Sequence, residues 1–211
     1  MHHSLEIITP AACMDLTVLE TAKDELGIAQ TDTSQDDRIA TLIKQASGII
    51  ADYCNQVFGA EEVRETFWAD APSEYVRSFM LKRERVTSID SVTIDGMLID
   101  PSFYRMASDG HLHRLDTVGM TLWCLTGTAV IDYTAGYVLL DDLPYGIEKA
   151  ALSLIKGYHF STGADPSIRS EDIPGLRSVT YASGTSMGTN TGTLPPEVTS
   201  LLGPYRRVVF A

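Results

Sequence analysis

The chain has 211 residues, of which 44% are hydrophobic and 21% charged, a composition typical of a globular protein and unlike that of a disordered one. Its net charge of -12 argues against sequence-reading DNA binding, which needs a basic surface to engage phosphates. Three cysteines without a CxxC motif (Cys13, Cys54 and Cys124) predict no disulfide framework, and no stretch approaches the roughly 18 apolar residues of a membrane span.

Two helices are predicted near the start of the chain. The first covers residues 17–27, where Thr17 and Glu20 form a capping-box pattern and Gly27 is the stop. The second covers residues 35–58, with Thr33 or Ser34 as its cap and Gly59 as its stop. Its apolar side chains recur at helical spacing on one stripe: Ile39, Leu42, Ile43, Ala46, Ile50, Tyr53 and Val57.

From residue 62 to 137 the apolar pattern changes to a period of two, which predicts an antiparallel β insertion. The predicted strands are residues 63–68, 75–81, 88–94 and 129–133. Asp95-Gly96 predicts a two-residue hairpin turn, since both positions need a positive φ. Asp109-Gly110 predicts a second, slightly longer hairpin between strands at residues 103–106 and 111–115, and Ala135-Gly136 ends the last strand. Helices combined with a meander of strands indicate an α+β fold.

A third helix is predicted over residues 145–160, opened by Pro144. Residues 161–193 are rich in Ser, Thr and Gly and predict a long loop that is either mobile or ordered by a partner, with a short strand at Val179-Thr180-Tyr181. Residues 194–211, hereafter the C-terminal segment, begin with a short helix at Pro195-Pro196-Glu197 and end in an apolar, basic tail. That composition fits either docking on another protein or packing on its own domain.

The motifs that could carry chemistry lack their context. Ser186 lies in a G-x-S-x-G pattern, but no helix follows it and every histidine precedes it, so the downstream partners of a serine hydrolase are missing. His111 and His113 share one face of a predicted strand without zinc-type spacing around them. We therefore predict no catalytic residue, metal or cofactor; a hydrolase through Ser186 and a metal enzyme through His111 and His113 are the enzyme alternatives.

Charge is unevenly distributed along the chain. Residues 1–143 hold 23 acidic and 10 basic residues, and residues 144–211 hold 5 acidic and 6 basic ones. The run Lys82-Arg83-Glu84-Arg85 is the basic cluster of the acidic part; it fits contact with DNA phosphate, contact with acids of a neighbouring subunit, or a solvated strand end.

Several stretches of the chain, taken together in their order along the sequence, resemble the head–tail connector (adaptor or head-completion) proteins of long-tailed phages and gene transfer agents. They cover nearly the whole chain: residues 16–28, 36–58, 86–96, 100–105, 130–137, 143–151, 194–198 and 201–207.

The resemblance implies a helical bundle with an inserted antiparallel β subdomain and an extended C-terminal segment, as a single connector domain over residues 1–211. It implies a structural protein without catalytic residues in the neck of the virion, assembled in the host cytoplasm. Copies would form a closed ring, a dodecamer, beneath the portal; the ring would extend the DNA channel and contact the next neck or tail protein. Another neck or tail completion protein is the alternative.

The tail composition suggests which residues would dock on the portal. Aromatic and arginine side chains dominate the binding energy of most interfaces, so we expect docking through Leu201, Leu202, Tyr205, Arg206, Arg207 and Phe210. DNA would pass the lumen without sequence-specific binding, because an acidic wall repels phosphate.

Overall fold

A computed structural model describes residues 2–161, 170–173, 177–180 and 194–207. These residues form two compact units. Unit 1 comprises residues 2–14 and Gln56–Leu139, and unit 2 comprises Asp15–Asn55 and the described residues that follow Leu139. Each unit is therefore assembled from two separate pieces of the sequence.

Unit 1 is built on a five-stranded antiparallel sheet in the order β1-β2-β11-β5-β6. Its strands are β1 (His2–Thr9), β2 (Glu61–Trp68), β5 (Val86–Ile94), β6 (Met97–Leu98) and β11 (Thr128–Ala135). In β2 and β11 every second residue is buried, as expected for a sheet with one face on the core. The period-two pattern predicted β2, β5 and β11; it did not predict β1.

Shorter strands complete unit 1: β3 (Glu74–Val76), β4 (Ser78–Met80), β7 (Tyr104–Met106), β8 (His111–Leu115), β9 (Met120–Thr121) and β10 (Trp123–Leu125). β8 pairs with β4, β7 and β9, and β10 pairs with β3. The strand predicted over residues 75–81 is divided at Arg77 into β3 and β4. Buried side chains from the short strands and the large sheet form one apolar cluster.

Aromatic rings lie at the centre of this cluster. The ring centroid of Phe79 lies 4.9 Å from that of Phe67 and 5.2 Å from that of Trp123. The indole N–H of Trp123 donates to the carbonyl oxygen of Leu112 at 3.1 Å, so the ring is fully buried without losing its hydrogen bond.

Both predicted hairpin turns are confirmed. Asp95 and Gly96 have φ angles of 50° and 81°, and the strands on either side pair as a two-residue hairpin. Gly110 has a φ of 84° in the loop that joins β7 to β8.

Gly136 and Gly59 meet where β11 ends. A Cβ atom on Gly136 would lie 2.4 Å from the carbonyl oxygen of Gly59, and the φ of Gly136 is 113°. A Cβ on Gly59 would lie 2.7 Å from both Ala11 Cβ and the carbonyl oxygen of Cys13. Gly59 was predicted to stop the second helix; instead it allows this close backbone approach within unit 1.

Unit 2 contains the helices α1 (Leu19–Leu26), α2 (Asp36–Cys54), α3 (Tyr145–Ser161) and α4 (Pro196–Leu202). α2 packs against α3, α3 packs against α4, and α1 contacts both α2 and α3. The fully buried residues of α2 and α3 include Ile39, Ala46, Ile50, Ile147, Leu154 and Ile155. Helices and antiparallel sheets together confirm the α+β class. No helix in the described residues is long and apolar enough to cross a membrane.

The predicted capping box of the first helix was wrong. α1 begins at Leu19, and no side chain caps it. The Thr17 hydroxyl instead donates to Glu148 Oε1 on α3 at 3.2 Å, and the Thr17 side chain is buried. Gly27 ends the helix as predicted, with a φ of 71°.

The second helix starts within one residue of its predicted position, but its predicted cap and its predicted C-terminal end were wrong. Gln35, rather than Thr33 or Ser34, stands at the N-cap position, and no side chain caps the helix. α2 ends at Cys54 instead of residue 58, because Asn55 adopts a left-handed conformation with a φ of 53°. The Asp36 carboxylate in its first turn forms an ion pair with the buried Lys23, with 2.5 Å between Oδ1 and Nζ.

The predicted long loop, residues 161–193, lies largely outside the described residues. Within it, β12 (Ser170–Ile173) and β13 (Arg177–Thr180) pair as an antiparallel hairpin. Val179 and Thr180 of the predicted short strand lie in β13; Tyr181 lies outside the described residues.

Candidate functional site in the C-terminal segment

The structure describes residues 194–207 of the C-terminal segment, and they pack on unit 2. Pro196 is the first residue of α4, where its missing N–H costs nothing, and the side chains of Val198 and Leu202 are buried. These two residues are four positions apart and lie on one face, and α4 packs against α3. Packing on its own unit, the second of the two possibilities for this segment, therefore describes residues 194–207.

The ring of Tyr205 lies against the first turn of α3. A Cβ atom on Gly146 would come within 3.6 Å of Tyr205 Cε2 and 3.7 Å of its hydroxyl oxygen, which is ordinary van der Waals contact. Tyr205 is half-buried there, in the turn Gly203–Tyr205 that follows α4.

Arg206 and Arg207 meet the C-terminal end of α2. The backbone N–H of Arg207 donates to the carbonyl oxygen of Cys54 at 2.9 Å, which satisfies one of the carbonyls that a helix end leaves open. The guanidinium carbon of Arg206 lies 5.1 Å from the ring centroid of Tyr53. α2 has no basic residue in its last turn, so the Arg206 guanidinium supplies positive charge at the negative end of the helix dipole.

The residues expected to dock on a partner differ in how far their side chains are exposed. Arg206 is exposed, Leu201, Tyr205 and Arg207 are intermediate, and Leu202 is fully buried. Leu202 therefore anchors α4 on unit 2. Phe210 lies outside the described residues.

Cys54 adjoins this site but is not accessible for chemistry. Its side chain is fully buried, and desolvation raises the pKa of the thiol to about 11, although the nearby positive charge of Arg206 opposes the shift. A thiol with so high a pKa is protonated at neutral pH and is a poor nucleophile.

Part of the basic cluster of residues 82–85 makes contacts within unit 1. Arg83 Nη2 lies 2.8 Å from Glu61 Oε2, and the Glu61 side chain is only 3% exposed. The backbone N–H of Lys82 donates to both carboxylate oxygens of the buried Glu65, at 3.0 and 3.1 Å. Arg85 lies 4.1 Å from the ring centroid of Tyr137. The Arg83 and Arg85 side chains and the Lys82 backbone thus make contacts within unit 1. The side chains of Lys82, Glu84 and Arg85 are exposed, as a solvated strand end would have them, and contact with a partner stays a prediction.

The histidine pair also has a local role. His111 and His113 lie on β8 with ring centroids 6.2 Å apart, and Ser78 Oγ lies 3.0 Å from His111 Nδ1. Within the described ranges, no group of three or more His, Cys, Asp or Glu side chains is placed to hold a metal ion. Ser186 and its G-x-S-x-G pattern lie outside the described residues.

Comparison with known proteins identifies the family. A sequence model of the head completion protein family matches residues 15–208. The chain belongs to the head completion protein family. The C-terminal segment from residue 194 to 207 thus lies within the part of the chain that defines membership, whereas β1 lies before it.

Solved structures have a similar fold over the full length of this head completion protein. A chain from the neck of an empty gene transfer agent particle, computed with C6 symmetry, has 15% identity and a TM-score of 0.56, with 99% of this chain and 97% of that chain covered. A chain from the neck of the native particle, computed with C12 symmetry, gives the same values. A chain from the virion of the native particle gives a TM-score of 0.53 at 15% identity, with 98% and 97% covered. No curated protein is similar enough in sequence to be recognised as a relative.

Proposed function

We propose that this head completion protein is a structural head–tail connector in the neck of a virion. The family match over residues 15–208 carries the proposal, and the full-length fold similarity to neck chains of gene transfer agent particles supports it. In this proposal the chain acts as one connector domain over residues 1–211, a helical bundle with an inserted antiparallel β subdomain and an extended C-terminal segment. It has no catalytic activity.

The connector works as a closed ring of identical copies below the portal. A ring needs a head-to-tail interface that closes after a whole number of subunits, and a dodecamer suits the C12 symmetry with which one of the similar necks was computed. The ring extends the DNA channel. The net charge of -12 on each copy repels the phosphates of the DNA, so the DNA passes without binding to the wall of the channel. Its far side receives the next neck or tail protein.

Imaging of intact particles tests this role directly. A reconstruction of the neck is expected to show the chain as a ring in contact with the portal. Contact with the tail tube alone would support the alternative, a tail completion protein, and absence from the particle would refute both. An esterase assay with Ser186→Ala as its control tests the hydrolase alternative, and metal analysis of the purified protein tests the metal enzyme through His111 and His113. Activity lost on that substitution, or stoichiometric metal, would overturn a purely structural role.

Docking on the portal is assigned to the C-terminal segment. The exposed guanidinium of Arg206 leads this contact, with the half-buried Leu201, Tyr205 and Arg207 beside it and Phe210 beyond the described residues. Leu202 contributes by holding α4 on α3. Arginine forms bidentate pairs with carboxylates, so an acidic portal surface is the partner chemistry that this segment fits.

Charge reversal at Arg206 tests the docking role better than deletion of the tail, because deletion also removes the N–H that bonds to the end of α2. Arg206→Glu is expected to lower the yield of tailed particles about tenfold or more, equivalent to about 1.4 kcal/mol of docking free energy, and to leave filled heads without tails. Lys44→Glu is the matched control, since it reverses the charge of another exposed residue of unit 2. Equal yields from the two variants, with equal resistance to urea, would contradict docking through Arg206.

A further inference from the structure

β1 is an open edge of the large sheet. It pairs with β2 on one side, and among the described residues no strand pairs with its other side. Seven of its eight residues are exposed, and Ile7 and Ile8 are 46% and 47% exposed. Proteins usually protect such edges with lysine, proline or bulges. β1 has neither lysine nor proline. Its one register shift with β2 lies between Ile7 and Thr9, near the end of the strand, and the register is regular from His2 to Ile7.

The same sheet has a second open edge on the far side. β6 pairs only with Thr93 and Ile94 of β5, so in the described part of the chain the outer side of β5 from Val86 to Ser91 has no strand partner. Two register shifts, with Thr87 and Asp90 as the extra residues, bend this edge and limit a new ladder to a few residues.

The two edges have compatible directions. β1, β2, β11 and β5 are each antiparallel to the next, so β5 runs opposite to β1. In a head-to-tail arrangement successive copies keep nearly the same orientation. The β1 strand of one copy would then meet β5 of the next as an antiparallel pair, the more stable kind of ladder.

The two edges also match face by face. On the core side, Leu5 packs partly against the apolar cluster of unit 1, and so do Val86 and Ile89 at the other edge. A shared sheet would bring these half-buried apolar side chains together and cover Ile7. The cross-strand register places four polar residues on the opposite face of the sheet: Ser4 and Glu6 of β1, and Ser88 and Ser91 of β5. In a shared sheet, polar side chains of one copy would therefore meet polar side chains of the next.

We propose that β1 of one copy pairs antiparallel with the outer edge of β5, near Ser88–Ser91, of the next copy, so that the sheet continues between subunits. The proposal rests on the ring in the proposed function and names one of its interfaces. The strand that makes the contact lies before the family-matched segment, which begins at residue 15.

Engineered cysteines test this interface in assembled particles. The full chain carries Cys13→Ser, which removes an exposed native thiol, together with one cysteine on β1 (Ser4→Cys or Glu6→Cys) and one on β5 (Ser88→Cys or Ser91→Cys). Directly opposite side chains of an antiparallel pair lie about 4.5–5.5 Å apart at Cβ, close to the separation that a disulfide requires. At least one of the four combinations is expected to give a ladder of covalent oligomers under mild oxidation, lost on reduction.

Matched controls separate the ladder from random oxidation. Either cysteine alone should give no ladder, and Thr66→Cys with Ser88→Cys should give none, because Thr66 lies on β2, one strand inside the edge. The chain could be found as a ring at the neck while none of the four combinations cross-links more than this control. That result would overturn the shared sheet and leave the neck role intact. Absence of the chain from the neck would overturn the proposed function and, with it, this interface.

Discussion

Asp95 ties two turns of unit 1 together through one carboxylate. It accepts hydrogen bonds from the backbone N–H groups of Thr126, Gly127 and Thr128 at 2.9, 2.7 and 2.9 Å and from the Thr126 hydroxyl at 2.7 Å. The backbone bond from Thr126 is the largest of the causes that hold the pKa of Asp95 below its usual value. The turn after β5 is thereby fastened to the turn before β11.

Replacement of this carboxylate should weaken unit 1. Asp95→Asn keeps the shape and the tolerance for positive φ but removes the charge, and we expect a loss of about 1–2 kcal/mol of unfolding free energy at pH 7. Asp109→Asn is the control, since Asp109 also precedes a hairpin glycine but accepts one backbone bond, from His111 at 3.2 Å. Urea unfolding of both variants measures the difference; equal losses would contradict the role given to the four bonds.

The same carboxylate predicts a pH dependence. The pKa of Asp95 is lower in the folded protein than the value of about 3.9 in an unfolded chain, so its contribution is complete above about pH 5 and is lost as the pH falls through the folded pKa. The stability difference between wild type and Asp95→Asn should therefore shrink below pH 4. A difference that stays constant down to pH 2 would show that the ionised carboxylate is not the source.

At the scale of elements, the chain at the end of β11 requires glycine at position 136. Gly136→Ala adds a Cβ that lies 2.4 Å from the Gly59 carbonyl oxygen, in addition to strain from a φ of 113°. Gly110→Ala is the matched control, because it shares a positive φ of 84° but has nothing within 4 Å of the new atom. We expect about 1 kcal/mol of destabilisation for the control and at least about 2 kcal/mol more for Gly136→Ala, measured by urea unfolding. If Gly136→Ala and Gly110→Ala lost similar amounts of unfolding free energy, the Gly59 backbone would have to shift enough to accommodate the new Cβ atom.

The elements that the sequence predicted well are those with one buried face. α2, α3, β2 and β11 all alternate between core and solvent, so their apolar residues recur with a helical or strand period. The turns at Asp95-Gly96 and Gly110 were predictable because a positive φ restricts the choice of residue.

β1 was not predictable, because a strand exposed on nearly all residues has no period to detect. The end of α2 was misplaced because apolar spacing continues through Val57 and Phe58; Asn55, which tolerates the left-handed conformation, was the available signal. In the C-terminal segment the sequence identified the helix and the basic tail. It did not reveal that Arg206 and Arg207 meet the end of α2, since contacts between distant parts of a chain leave no local pattern.

At the scale of the whole molecule, the net charge of -12 opposes assembly of identical copies. Salt screens such repulsion over about 8 Å at physiological ionic strength and about 30 Å at 0.01 M. We therefore expect self-association of the purified chain to strengthen as salt rises from about 0.01 to 0.15 M, measured by light scattering at fixed protein concentration. Attraction between opposite charges at the interface would give the reverse trend.

The two-piece construction of unit 2 has a consequence for synthesis on the ribosome. α2 emerges with its apolar stripe complete, but α3, which covers that stripe, follows roughly ninety residues later, a delay of about 5–20 seconds at ordinary translation rates. During that interval Ile39, Ala46 and Ile50 have no α3 to pack against, while the strands between the two helices are being made. The nascent chain is thus most exposed to aggregation before α3 appears, and a chaperone that binds short apolar helices would act in that interval.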